Sequence, residues 1–164
     1  MNIARIKLVD IADGLGCRTT IFVSGCRRQC KGCQNPETWD FLYGIPYTIK
    51  LEKEILDSIE PYYIRGLTIC GGEPFEPENE SYLVSLAASL KKRYGDGKDI
   101  WAYSGYTYEE LSAKDHGLLK YIDVLVDGPF IEEKKDISLR FRGSNNQHIY
   151  LLKEGKVTGE LDDQ

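Results

Sequence analysis

An α/β domain in the form of a partial, open β/α barrel with about five to six mostly parallel strands is the fold this sequence predicts. Short runs rich in β-branched and aromatic residues alternate with longer segments whose apolar residues recur at helical spacing, and this alternation marks β-α units around a mostly parallel sheet. The chain has 164 residues, whereas a closed eight-unit α/β barrel takes about 250. The sheet is therefore expected to stay open on one side.

The elements follow in order. The run Thr19 to Ser24 (TTIFVS) is the first expected strand, and Leu51 to about Tyr63 carries apolar residues at helical spacing. Leu67 to Cys70 is the second strand. Asn79 to about Tyr94 is a helix closed by Gly95-Asp96-Gly97, because glycine readily takes the conformation that ends a helix. Ile100 to Tyr103 is the third strand, and two shorter helices are expected to begin near Thr107 and Asp115. Val124 to Val126 and roughly His148 to Leu152 complete the strands. A single domain over residues 1–155 is expected, with residues 156–164 as a polar tail, and the chain from Lys153 to Gln164 is expected to fray.

Composition narrows the function. The formal net charge of −5 opposes a nucleic-acid or anionic-membrane surface, which needs clustered positive charge to engage phosphate. No apolar run approaches the roughly 18–20 residues of a membrane span, and no secretory signal opens the chain, so a cytoplasmic location is expected. Five cysteines form an odd set without an export signal, which favours reduced thiols serving a metal or redox role over a disulfide framework.

The run SGCRRQCKGCQNPETWDF places Cys26, Cys30 and Cys33 in a CxxxCxxC spacing directly after the first strand. One loop of that length can wrap one metal centre. Iron-sulfur clusters are usually held by four thiolates. With three, a four-iron cluster keeps one iron free of cysteine, as a catalytic zinc keeps one position open for water or substrate. A structural zinc completed by Cys17, Cys70, His116 or His148 is the alternative at this point. The second strand is followed by Gly71-Gly72-Glu73-Pro74. Two glycines there allow the backbone to approach a ligand closely and leave N–H or carbonyl groups free to contact it, and Glu73 can accept from an ammonium. A tight strand-to-helix turn is the plain reading of the same four residues.

Cysteines in this spacing followed by a GGE segment at the next strand end resemble the radical S-adenosylmethionine superfamily. The segments GLGCRTTIFVSGCRRQCKGCQNPETWDF, LTICGGEPFEPEN, IWAYSGYTYEEL and VLVDGPFIEEKKDISLRFRGSNNQ resemble, in the same order, those of the proteins that activate anaerobic ribonucleoside-triphosphate reductases. The resemblance implies a fold of the radical S-adenosylmethionine type and one [4Fe-4S] cluster per chain on Cys26, Cys30 and Cys33. It also implies S-adenosyl-L-methionine chelated to the open iron, and cleavage of that cosubstrate by one electron. The resulting 5'-deoxyadenosyl radical would take a hydrogen atom from a glycine near the C-terminus of the reductase large subunit. A flavodoxin-type protein is the implied electron donor.

Carried over by residue, the resemblance sets Gly71, Gly72 and Glu73 against the amino group of the cosubstrate, and Gly32, Cys33 and Gln34 along its site. Many members of the superfamily carry an aromatic residue before the third cysteine, where this chain has Gly32. Ser104 and Gly105 end the third strand and are candidates for the ribose or the methionine carboxylate, a satisfied turn hydroxyl being the alternative. Arg140 and Arg142 suit the cosubstrate carboxylate or the partner, because guanidinium forks pair carboxylates bidentately; for Arg140, plain solvation is favoured. Trp39 and Phe41 are expected to pack over the cluster, and Cys17 and Cys70 to be small buried hydrophobes. An activase of another glycyl-radical enzyme, such as pyruvate formate-lyase, and a non-catalytic zinc-binding adaptor remain the competing functions.

Overall fold

The computed structural model describes residues 1–163. Its eight strands are β1 (Asn2–Asp10), β2 (Cys17–Val23), β3 (Ile45–Pro46), β4 (Ile64–Gly71), β5 (Asp99–Tyr103), β6 (Val124–Asp127), β7 (His148–Lys153) and β8 (Lys156–Glu160). Three α-helices join them: α1 (Ile49–Ser58), α2 (Pro77–Tyr94) and α3 (Tyr108–Ser112). All strands lie in one sheet of order β3-β1-β2-β4-β5-β6-β7-β8.

The centre is parallel, as the β-α alternation predicts. β2, β4, β5 and β6 run together, with Ile21 opposite Ile69, Ile69 opposite Ala102 and Ala102 opposite Leu125. Both flanks are antiparallel: β1 and β3 on one side, β7 and β8 on the other. The expectation of five to six mostly parallel strands is thus corrected to eight, half of them in antiparallel flanks.

Three strands escaped the pattern for physical reasons. β1 lies near the sheet edge, where the two-residue β3 covers only its first residues. Arg5 and Lys7 occupy its cavity-facing positions and lay their cations over the Phe22 ring, 4.3 and 5.1 Å from its centre, so the apolar alternation is replaced by long amphipathic side chains. β3 ends on Pro46, which is tolerated only at a sheet edge or strand end. β8 follows the tight turn Glu154-Gly155, both residues at positive φ (51° and 79°), the geometry that matches strand twist in a two-residue hairpin. The expected frayed tail is therefore a paired strand followed by the buried Asp163; Gln164 lies outside the described residues.

The helices begin and end where local chemistry dictates. Thr48 caps α1 by accepting from the Leu51 amide at 3.1 Å. The helix stops at Ser58 rather than near Tyr63, because Pro61 cannot continue it and disfavours helical geometry just before it. Pro77 opens α2, with Glu78 and Glu80 in the first turn and Lys91, Lys92 and Arg93 in the last, an order that complements the helix dipole. α3 starts on a reciprocal capping box between Thr107 and Glu110. The helix expected near Asp115 is a 3-10 turn over Gly117–Lys120.

The helices cover one face of the sheet. Leu51 and Ile55 of α1 and Leu83, Leu86 and Leu90 of α2 pack with Ile21, Leu67, Ile69, Ile100 and Leu125 in the main core. On the opposite face a smaller cluster unites Trp101, Val126, Phe141 and Ile149. Side chains alternate along a strand, so Phe22, Cys70 and Tyr103 also point to that second face, where they line a cavity. Among the described residues, no helix is long and apolar enough to cross a membrane.

Candidate iron-sulfur site

The cavity, about 550 Å³, opens at the carboxyl ends of the parallel strands, where α/β sheets characteristically gather ligands. Cys26, Cys30 and Cys33 enter it from the loop after β2, with Gln34 beside them. The turn after β4 contributes Gly71, Gly72 and Glu73, and the turn after β5 contributes Ser104 and Gly105. Arg142 reaches it from the segment before β7. Gly32 stands off the wall: it adopts φ +74°, and a Cβ there would meet the Glu132 carboxylate at 3.0 Å.

The cysteine loop is shaped by backbone contacts and bolted to α2. Gly25 at φ +105° donates to the Thr38 carbonyl at 2.7 Å, and Cys26 to that of Trp39 at 3.3 Å, so residues 38–41 run back along the loop. The Arg27 amide and guanidinium donate to the buried Glu76 at 2.8 and 2.5 Å, while the same guanidinium reaches Glu78 and lies over Phe41. Asn79 donates from one amide nitrogen to the Ser24 and Glu73 carbonyls, each at 3.0 Å. Arg27, Glu76 and Asn79 were missed by sequence reasoning. The available signal for the last two was the polar run Glu76, Glu78 and Asn79 shortly after the glycine turn in GGEPFEPEN.

Amide groups face the sulfurs. Asn35 donates to the Cys33 Sγ at 3.4 Å. Burial pushes the Cys26 thiol above its ordinary pKa, while the amides of Gln29 and Arg28 draw it the other way. Such donors stabilise the extra negative charge of a thiolate-bound cluster. Among the described residues, no three His, Cys, Asp or Glu side chains converge tightly enough to hold a single metal ion. A four-iron cluster takes each thiolate on a different iron and needs sulfurs arranged around a space. Three loop thiols on one cavity wall, with amides directed at two of them, fit that requirement.

The glycine turn departs from expectation in one respect. The Gly72 amide donates to the Val23 carbonyl at 2.7 Å and the Glu73 amide to that of Gly25 at 2.8 Å, so these N–H groups are spent holding the cysteine loop and are not free for a ligand. The glycines are required by that closeness. A Cβ on Gly72 would stand 2.6 Å from the Gly25 carbonyl oxygen, and Gly71 adopts φ +101°.

Glu73 is 1% exposed. Its carboxylate accepts from the Ser104 hydroxyl at 2.9 Å, the Gly105 amide at 2.8 Å and the Phe75 amide at 3.1 Å. Burial pushes its carboxyl up to about 7, against the pull of those three donors. Ser104 also accepts from the Tyr106 amide at 3.0 Å, so the turn-hydroxyl reading holds while the residue still lines the cavity. Arg142 is engaged within the chain, donating to Asp163 at 3.0 and 2.5 Å and to the Gln147 carbonyl at 2.7 Å. Arg140 is exposed and stacked on Phe141.

Comparison with known proteins agrees with this geometry. A family model described as a 4Fe-4S single cluster domain matches residues 12–150. A protein of Vibrio cholerae serotype O1 named anaerobic ribonucleoside-triphosphate reductase-activating protein is 45% identical over 152 residues, spanning 92% of this chain and 97% of its own. Proteins of the same name from Escherichia coli (strain K12) and Enterobacteria phage T4 are 39% and 37% identical over 155 residues, covering 93% and 94% of this chain and 100% and 97% of their own. The chain therefore belongs to the family of anaerobic ribonucleoside-triphosphate reductase-activating proteins and carries its single-cluster iron-sulfur domain.

Proposed function

We propose that this protein is a radical S-adenosylmethionine enzyme that installs a glycyl radical on the large subunit of an anaerobic ribonucleoside-triphosphate reductase. The observation that carries the reading is that a loop of three thiols opens onto the same cavity as the turns after β4 and β5. Cys26, Cys30 and Cys33 would hold the cluster, which would supply the one electron that splits S-adenosyl-L-methionine into methionine and a 5'-deoxyadenosyl radical able to take a hydrogen atom from the target glycine.

The chain's own part is binding and orientation. Glu76 and Asn79 hold the cysteine loop. Glu73, with one lone pair of its carboxylate left over, is placed to accept from the cosubstrate amino group, while Gln34, Gly71, Gly72 and Ser104 shape the space around it. Arg142 orders the wall through Asp163. In this reading the uncovered sheet face is the inside of a partial barrel of the radical S-adenosylmethionine type. The single domain expected over residues 1–155 runs on through β8, the donor is a flavodoxin-type protein, and the setting is the cytoplasm.

The test mixes anaerobically reconstituted, reduced protein with S-adenosyl-L-methionine and the reductase, and follows electron paramagnetic resonance. A glycyl doublet is expected with wild type and none with Cys30→Ala. A doublet of equal size from that variant refutes the cluster assignment; no doublet from wild type refutes the target.

A further inference from the structure

The cavity carries more positive charge than the proposed cosubstrate uses. Arg5 on β1, Arg28 on the cysteine loop, and Lys135 and Arg140 on the segment after β6 all line it, in a chain of net charge −5. Among the described residues, none of the four forms an ion pair with a carboxylate. The cavity's own acids are engaged elsewhere: Asp13 with Lys7 at 3.3 Å, Asp136 with the Ser138 hydroxyl at 2.6 Å, and Glu73 with Ser104 and Gly105.

Three of these cations are held ready. The Arg5 guanidinium lies 4.3 Å from the centre of the Phe22 ring, that of Arg28 4.8 Å from Tyr106, and that of Arg140 4.9 Å from Phe141. Stacking fixes the plane of a guanidinium and leaves its N–H edge free to fork onto a carboxylate, so less side-chain entropy is lost on binding. S-adenosylmethionine has a single carboxylate, which one fork satisfies.

The rim is also apolar and bare. Ile137 lies between Lys135 and Arg140, lines the cavity and is 92% exposed. Ile11, beside the wall residues Ala12 and Asp13, is 73% exposed. A small anion would use the cations but leave these isoleucines in water, whereas a polypeptide covers both.

We propose that this rim grips an acidic polypeptide segment of the protein being activated, seating its carboxylates on Arg5, Lys135 and Arg140 and an apolar side chain on Ile137. The inference rests on the activation reading above and adds the chemistry of the part that enters. The three cations are exposed, so their exchange for glutamine leaves the core intact, which a thermal melt verifies.

The experiment measures anaerobic binding of the reconstituted protein to the intact reductase across a salt series. The triple variant Arg5→Gln, Lys135→Gln, Arg140→Gln is expected to bind at least tenfold more weakly at low salt, with a shallower salt dependence and S-adenosyl-L-methionine affinity within twofold of wild type. Ile137→Asp is expected to weaken reductase binding comparably, and a Lys50→Gln, Lys53→Gln, Lys156→Gln control to leave it unchanged. Wild-type reductase affinity in the triple variant overturns the inference, as does a loss confined to S-adenosyl-L-methionine. Wild-type protein that does not bind the reductase overturns both this inference and the reading beneath it.

Discussion

Replacing Gly72 by alanine tests how tightly the glycine turn and the cysteine loop are fitted together. The new Cβ would lie 2.6 Å from the Gly25 carbonyl oxygen and 2.9 Å from that of Thr38. Both obstacles are backbone, so neither can swing away as a side-chain tip would. The loop must move by several tenths of an ångström to restore ordinary contact, stretching the Gly72 amide bond to Val23 and the Glu73 amide bond to Gly25, now 2.7 and 2.8 Å. Overpacking of this kind costs about 1–3 kcal/mol, which for a chain of this size lowers the melting temperature by about 2–4 °C per kcal/mol. Because Gly25 directly precedes Cys26, cluster assembly should also fall, read as iron and sulfide per chain after anaerobic reconstitution. Gly97→Ala is the control, since nothing lies within 4 Å of a Cβ there. Gly72→Ala protein that melts with wild type and takes up iron and sulfide to the same level refutes the argument that the glycines serve loop packing.

Two further outcomes follow from the same structure. Asp13 has its carboxyl pushed up to about 6 by burial first, then by the adjoining Asp10, with Lys7 opposing. A folded pKa above the unfolded value means that stability rises as pH falls through about 6. Asp13 alone should therefore add about 1 kcal/mol to apo-protein stability between pH 7 and pH 5, a part of the slope that Asp13→Asn removes while the part owed to Glu73, raised to about 7, stays; an identical pH profile for the variant denies Asp13 the role. Glu76→Ala deprives the Arg27 amide of its carboxylate acceptor and is expected to cost about 1–3 kcal/mol, with faster proteolysis of the cysteine loop in apo-protein, and equal digestion rates would show that the bolt is unimportant.

Sequence pattern revealed the elements whose burial is nearly continuous. β2, β4, β5 and β6 are buried along most of their length and read as apolar runs, as central parallel strands do. β1 did not, because the positions it turns to the cavity are filled by Arg5 and Lys7 lying along Phe22. The direction of β7 was equally invisible: a strand's pattern records which face is buried but not which way it runs, and only the short antiparallel return from β6 decides that. In the site, Cys26, Cys30, Cys33 and the glycine turn were legible because their geometry is local. The bonds of Glu76 to Arg27 and of Asn79 to Ser24 join residues 49 and 55 positions apart, so their meaning exists only once β2 and β4 are paired. Arg142 reaches the cavity, but its partner within the chain was hidden for a related reason. Its fork does take a carboxylate, but that carboxylate is Asp163, from a segment whose polar composition resembled a loose tail.

The lower end of the uncovered sheet face has no helix above it, and Arg18 closes it. That side chain is fully buried and donates to the Thr68 hydroxyl at 2.7 Å, the Leu67 and Leu15 carbonyls at 2.9 and 3.1 Å, and the Asp99 carboxylate at 2.5 Å, with Trp101 beside it. An unpaired guanidinium there would cost several kcal/mol; with its donors satisfied, the charge becomes tolerable and directional. Thr68 in turn donates to the Asp13 carbonyl at 2.9 Å, and Gly14 passes so close that a Cβ would meet the Arg18 chain at 2.8 Å. The loop bearing the wall residues Ala12 and Asp13 is thereby fixed by hydrogen bonds from a charge, where apolar packing would have let it slide. At the upper end Arg27 does the same for the cysteine loop through Glu76. The site is thus framed by two arginines of one stretch, each paired with an acid from a later β/α unit, which explains how a cavity open to water keeps a defined shape without a second helical layer.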